Sequence, residues 1–220
     1  MEIVFLEKGS LGNDLDLSYF SELGHVTFYE LTKPEEVPER IRDADVIIVN
    51  KIPMNEATLS GASHLKLVAL TATGMNNIDF DYTNSHGIQV KNVAGYSTNA
   101  VAQHTFALLF YVLHRLAYYD NYVKSGAYCT NPGFSHFDEK FSELDGKTWG
   151  IVGMGAIGQR VASIAEAFGC HVIYYSTSRR NTDQPYERVD FEELLKRSDV
   201  ISLHAPLNPD TEGIMNREAF

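Results

Sequence analysis

Basic residues are scarce in this chain. It holds 18 Lys and Arg against 29 Asp and Glu, a formal net charge of −11. A surface of that sign repels phosphate backbones and excludes non-specific nucleic-acid binding. Cysteine is scarcer still. Cys129 and Cys170 lie far apart with no metal-ligand spacing, so a disulfide framework and a zinc module are both excluded and no metal is expected. They read as reduced thiols, as expected of a cytoplasmic protein. Long uninterrupted apolar runs are missing too. The most apolar stretch, residues 100–119, contains Gln103, His104, His114 and Arg115, and reads as a buried helix rather than a membrane span. The opening residues, MEIVFLEKGS, lack the basic start of a signal peptide. No repeat or low-complexity segment is present. What remains is a 220-residue chain, 44% hydrophobic, which suits one large or two small folded domains with a core.

Against these absences stands one dense motif. Residues 148–176 read TWGIVGMGAIGQRVASIAEAFGCHVIYYS. The run Trp149-Gly150-Ile151-Val152 has the length of a buried parallel strand. Gly153, Gly155 and Gly158 follow with G-x-G-x-x-G spacing. Ile157, Val161, Ile164, Ala165 and Phe168 then fall on one helical face, and Gly169 stops the helix. Residues 171–175 form the next strand. The spacing has a chemical reason. Gly153 permits the turn out of the strand, Gly155 lets a pyrophosphate approach the backbone, and Gly158 lets helix and strand pack closely. The helix N-terminus offers N–H groups and a positive dipole end to the phosphates. A strand–loop–helix–strand unit around this motif predicts dinucleotide binding.

A further absence bears on which dinucleotide. An NAD site usually places a carboxylate about 20 residues past the glycines, where it holds the ribose hydroxyls. Here Ser176 ends the strand, followed by Thr177, Ser178, Arg179 and Arg180, with no carboxylate before Asp183. Hydroxyls and arginines could hold a 2′-phosphate. The alternative is a solvated loop. The cofactor is NAD or NADP, and the balance leans slightly to NADP.

Earlier in the chain, strands are expected at 2–7, 26–29, 45–50, 65–71 and 89–93, with helices at 16–23, 34–42 and 53–60. A short helix capped by Asp79 follows. Alternating strands and short helices imply a parallel α/β domain over residues 1–96. Residues 98–124 read as one long helix, apolar almost all round and therefore buried on all sides. The aromatic loop 126–141 is either an association surface or packed on itself. A helix at 191–197 and a strand at 199–203 come next. His204, Ala205 and Pro206 end that strand beside the glycine loop, so they are expected to touch the cofactor. Residues 211–220 read as the opening of another helix. Three strands of a domain that usually has about six suggest a chain ending inside its second domain.

The stretches TATGMNNID (71–79), GYSTNAVAQHTFALL (95–109), GKTWGIVGMGAIGQRVA (146–162) and DVISLHAPLNPDTEGIMN (199–216) together resemble the D-isomer-specific 2-hydroxyacid dehydrogenases, glycerate (hydroxypyruvate) dehydrogenases among them. The resemblance implies a flavodoxin-like substrate domain over 1–96 and a Rossmann NAD(P)-binding domain over 97–220, with an interdomain helix at 98–124 that helps build a homodimer. It implies interconversion of a small 2-oxo acid, such as hydroxypyruvate or glyoxylate, and its D-2-hydroxy acid. By matching motif, Thr73 and Gly74 hold the substrate carboxylate, and Thr73 also lies near the cofactor. Ser97 faces substrate. Thr98 faces the phosphates, with Ala156 and Ile157 on the pyrophosphate turn. Ser176 takes the place of the usual acidic ribose ligand, and Ala205, Pro206 and Thr211 line the adenosine side. Lys51 faces the same cleft, unless it is a surface lysine. Gln103 departs from the family's usual glutamate. His104 reads as a buried structural histidine rather than a catalyst. The family's catalytic Arg, Glu and His fall beyond the matched segments, so none is assigned within residues 1–220. A rival reading from another class is a non-catalytic, dinucleotide-sensing or corepressor-like module.

Overall fold

The computed structural model describes all 220 residues, Met1–Phe220. They fall into two units, Met1–Tyr96 and Ser97–Phe220.

The first unit is built on β1 (Glu2–Phe5), β2 (His25–Phe28), β3 (Val46–Val49), β4 (Leu67–Leu70) and β5 (Gln89–Lys91). The strands pair in parallel in the order β2-β1-β3-β4-β5, the flavodoxin-like arrangement. Side chains alternate across this sheet with period two. Val4, Leu6, Ile47 and Val49 enter one buried cluster, whereas Ile3, Phe5 and Ile48 enter another on the opposite face. A strand buried on both faces must be apolar throughout, which is why FL and VIIV read as continuous runs.

The helices here are shorter than expected. The segment foreseen at 16–23 is a 3-10 helix, Ser18–Glu22. The one foreseen at 34–42 is a 3-10 turn, Pro34–Glu36, running into α1 (Val37–Arg40). The one foreseen at 53–60 shrinks to α2 (Glu56–Leu59). Its start is fixed by Asn55, whose side chain accepts from the Ala57 and Thr58 N–H groups. A cap at that position leaves Pro53 outside the helix. In α3 (Phe80–Ser85), Asp79 caps as expected, accepting from the Tyr82 N–H at 2.9 Å.

The second unit opens with a correction. Residues 98–124 are not one helix but two, α4 (Thr98–Leu113) and α5 (Leu116–Lys124), separated at Arg115, whose φ is +52°. Nor is the segment buried all round. Only Ala102 and Phe106 of α4 are buried, one turn apart on a single stripe. Phe106 packs on Trp149, the rings tilted at 41° with centroids 4.7 Å apart. His104 lies off that stripe and is exposed, contrary to the expected buried histidine. A short α6 (Ala127–Thr130) follows.

The second sheet comprises β6 (Thr148–Val152), β7 (His171–Tyr175), β8 (Glu187–Arg188) and β9 (Val200–Leu203) in the parallel order β8-β7-β6-β9. In chain order this is 3-2-1-4, the Rossmann pattern. Two residues of β8 carry no pattern of their own and went unforeseen. Between β6 and β7 runs α7 (Ala156–Ala167), ended by Gly169 at φ +80°. The Gly169 N–H donates to Glu166 O and the Cys170 N–H to Ala165 O, a Schellman closure. After β8 comes α8 (Phe191–Arg197). The helix foreseen at 211–220 is absent. Thr211 Oγ1 instead donates back to Pro206 O at 2.6 Å, which closes a turn, and only a 3-10 helix, Arg217–Ala219, follows.

Trp149 is the largest fully buried side chain, and its indole N–H donates to Ser202 Oγ on β9 at 2.9 Å. Ser202→Ala strands a buried donor, which costs about 1–3 kcal/mol. Urea denaturation followed by the fluorescence of this single Trp checks it, and an unchanged midpoint would show that the bond contributes nothing.

Candidate functional site

In an open parallel sheet, a crevice forms at the carboxyl ends of two adjacent strands whose connections leave in opposite directions. In the second unit the strand order reverses between β6 and β9, which lie side by side. The glycine loop leaves β6, and residues 204–206 leave β9, at that point.

The two loops touch through Gly153. Its φ is +95°, and a Cβ there would stand 2.7 Å from Ala205 N and 2.9 Å from the His204 carbonyl carbon. Glycine is therefore required twice, for conformation and for space. Gly158 is also enclosed: its Cβ would stand 2.2 Å from Gly153 O, so the α7 backbone lies against the loop. Gly155 differs. Nothing lies within 4 Å of its would-be Cβ, so one side of the loop is open to an approaching group. Gly155 is also the N-cap residue of α7, and no side chain caps the helix there. The helix start, with Ala156 exposed and Ile157 half-buried, thus presents N–H groups and the positive dipole end beside open space. This cradle fits a dinucleotide pyrophosphate.

His204 adds a second feature. Its N–H continues the ladder to Val152 O at 2.8 Å, while its side-chain Nε2 is shut off from solvent with no partner. An orphaned buried nitrogen beside the glycine loop is a point that a bound group can satisfy. Burial lowers the imidazole pKa below its ordinary value, so the ring is held neutral.

The end of β7 lies alongside, because the Gly153 N–H donates to Tyr175 O at 2.9 Å. Ser176 is 3% exposed there. Thr177 is half-buried, and Ser178, Arg179 and Arg180 are exposed. Arg179 has φ +56°, and its N–H turns back to Ser176 O. Pro206 is exposed, whereas Thr211 is buried, its hydroxyl engaged by Pro206 O and Asn208 within its own loop. Ser97 stands at the N-cap position of α4 and Thr98 is the first residue of that helix.

In the first unit, Lys51 and the Thr73-Gly74 loop leave adjacent strands, whose ladder extends to the Thr71 N–H donating to Val49 O at 3.0 Å. Thr73 is held at both polar ends: Asn92 Nδ2 donates to its carbonyl at 2.6 Å, and its hydroxyl donates to Val93 O at 3.4 Å. Thr73 and Gly74 are exposed, as is Lys51. Sequence reasoning missed Glu7, Asn77 and Asn92, which shape these loops. Their partners lie 19 to 45 residues away, beyond any local pattern.

Residues 106–220 match the NAD binding domain of the D-isomer specific 2-hydroxyacid dehydrogenases. This chain belongs to that family. It is 38% identical over 224 residues to a hydroxypyruvate reductase of Blautia hydrogenotrophica, covering 99% of this chain and 70% of the relative. It is 35% identical to a glycerate dehydrogenase of Methylorubrum extorquens, covering 99% and 67%. Among solved structures, an acyclic imino acid reductase in complex with NADPH and D-Arg superposes with a TM-score of 0.87 at 33% identity, over 100% of this chain and 70% of that one. The D-lactate dehydrogenase of Aquifex aeolicus, complexed with NAD and lactic acid, gives 0.84 at 30% identity, over 99% and 64%. The matched segment contains the glycine cradle, residues 153–158, and the whole second sheet. No helix of the chain is long and apolar enough to cross a membrane.

The contrast between the glycines gives a test. Gly155→Ala should change stability by no more than about 0.5 kcal/mol while weakening NAD(P)H binding at least about tenfold, because its methyl fills the phosphate approach. Gly153→Ala should lose both stability and binding. Equal binding by wild type and Gly155→Ala in a fluorescence titration would remove the pyrophosphate from this loop.

A second test uses His204. Below pH 6.5 the unfolded chain gains a proton on this ring that the folded chain resists, so unfolding binds protons and stability falls with acidification. Urea midpoints of His204→Asn should decline less than those of wild type from pH 6.5 to about 5. Parallel declines would show that the ring titrates normally.

Proposed function

We propose that this protein takes part in NAD(P)H-dependent reduction of a small 2-oxo acid to its D-2-hydroxy acid, with glyoxylate or hydroxypyruvate as the substrate type. The observation that carries the cofactor half is the cradle where Gly153 meets Ala205, open beside Gly155. The substrate type rests on similarity to proteins named hydroxypyruvate reductase, glycerate dehydrogenase and glyoxylate reductase. A nicotinamide dinucleotide supplies the hydride when bound.

The chain's own residues then have distinct tasks. The N–H groups of Ala156 and Ile157 hold the pyrophosphate at the start of α7, and Gly155 gives it access. Thr98, His204, Ala205, Pro206 and Thr211 complete the dinucleotide wall. Backbone N–H groups of the Thr73-Gly74 loop orient the substrate carboxylate, with Lys51 adding positive charge. No residue of 1–220 is assigned proton transfer.

The cofactor preference follows from the end of β7. Ser176 is buried where a ribose-binding carboxylate would stand, and Arg179 and Arg180 follow it, exposed. A carboxylate there would repel a 2′-phosphate, and guanidinium groups attract one. NADPH is therefore the preferred form.

A homodimer belongs to the same reading. Large exposed hydrophobics concentrate between residues 108 and 141, among them Leu108, Tyr111, Val112, Val123, Phe134 and Phe137. The loop bearing the two phenylalanines is pinned to α5, where His136 stacks on Tyr122 at 3.8 Å and bonds Tyr118 Oη at 2.7 Å. A pinned loop with Phe134 91% exposed suits a protein partner better than solvent.

Equilibrium titration of the 220-residue chain with NADPH and NADH tests this reading. NADPH should bind the tighter, and Ser176→Asp should reverse the order, costing NADPH about tenfold or more. In a coupled absorbance assay the same chain should not reduce glyoxylate. Binding of neither dinucleotide would end the reading, and turnover would place proton transfer within these residues.

A further inference from the structure

The first unit has a switch point of its own. In the order β2-β1-β3-β4-β5, the connections leave β1 and β3 in opposite directions, so a crevice opens between their carboxyl ends. Glu7 lies just past β1, and residues 50–52 directly follow β3. Three consecutive backbone N–H groups converge on a single oxygen, Glu7 Oε2. Asn50 donates at 2.7 Å, Lys51 at 2.8 Å and Ile52 at 3.3 Å. Successive N–H groups aimed at one point form a nest for an anion, and Glu7 fills it from within the chain. Bonds to an ionised acceptor are the stronger class.

The carbonyls of the same segment are held from the other side. Asn77 Nδ2 donates to Ile52 O at 2.8 Å and to Asn50 O at 3.4 Å. The Met54 N–H donates to Asn77 O, and the Asp79 N–H donates to Met54 O, both at 2.8 Å. The loop after β3 is thus clamped through its donors by Glu7 and through its acceptors by Asn77, three residues from Gly74.

What the clamp leaves over is informative. Glu7 spends its carboxylate on backbone rather than on the neighbouring Lys51. Neither residue enters any of the chain's ion pairs, and Lys51 is exposed. A fixed backbone at Lys51 beneath an uncommitted ammonium is what a carboxylate-recognising lysine needs.

We propose that Glu7 is a positioning residue: its carboxylate locks the loop after β3 so that Lys51 meets the carboxylate of the 2-oxo acid. This rests on the substrate reading given above.

The experiment is a double-mutant cycle on the 220-residue chain. Glyoxylate affinity is read from amide shifts at Lys51, Thr73 and Gly74, with hydrogen exchange of Asn50, Lys51 and Ile52 as an independent reading of the clamp. Glu7→Ala should speed exchange at these three amides about tenfold or more and weaken glyoxylate about tenfold. Lys51→Met should weaken glyoxylate similarly without speeding exchange. The double variant should bind no worse than Lys51→Met alone, because Glu7 acts through Lys51. Glu7→Gln, which keeps an oxygen acceptor without the charge, should fall between wild type and Glu7→Ala, and serves if the alanine variant does not fold. Unchanged affinity in Glu7→Ala or Glu7→Gln despite faster exchange, or losses that multiply in the double variant, would overturn the proposal alone. A wild type showing no glyoxylate-dependent shifts at Lys51 would overturn the substrate reading with it.

Discussion

The contact between Gly153 and the backbone of His204 and Ala205 is the constraint on which the second unit depends. Two strands diverge there, and only a residue without a Cβ lets their following loops meet. Its consequences spread outward. Gly153 at φ +95° turns the chain so that α7 starts beside the strand end, and Gly158 lets that helix lie against the loop it came from. The N–H groups of the first helical turn are then delivered to the open side at Gly155. A binding cradle follows from packing rules before any ligand is considered.

The first unit solves a comparable problem by another means. Its switch point is closed by charge: Glu7 reaches across from β1 to satisfy three N–H groups after β3. Two of those donors, at Asn50 and Ile52, are part-buried, and burying an unpaired donor costs roughly 1–3 kcal/mol. A carboxylate settles all three with one oxygen and fixes the backbone beneath Lys51. Both units therefore keep ordered backbone at the carboxyl ends of their strands, one around space and one around an anion.

The central strands were legible because burial on both faces forces continuous apolar runs, and VIIV and TWGIV admit few other readings, whereas the two exposed residues of β8 carry no such run. The glycine cradle was legible because its three requirements act within six residues. The helix boundaries were less so. The break at Arg115 depends on a positive φ at a residue that rarely adopts it, and nothing in HRL announces it. Exposure along α4 was misjudged because apolar content says how much surface wants cover, not which stripe receives it. Thr211 looked like a helix start, but its hydroxyl closes a turn on Pro206. The clamps by Glu7, Asn77 and Asn92 span 19 to 45 residues and depend on strand order, which the sequence implies only after the sheet is built.

The central claim is that dinucleotide recognition is fixed at the β6–β9 switch point by the glycine loop and residues 204–206. The most direct measurement is a map of backbone amide shifts on adding NADPH to the isotope-labelled chain. The account predicts the largest changes at residues 153–158, 176–180 and 204–206, with the His204 ring nitrogens shifting as Nε2 gains a partner. Changes confined elsewhere, with the glycine loop silent, would contradict it.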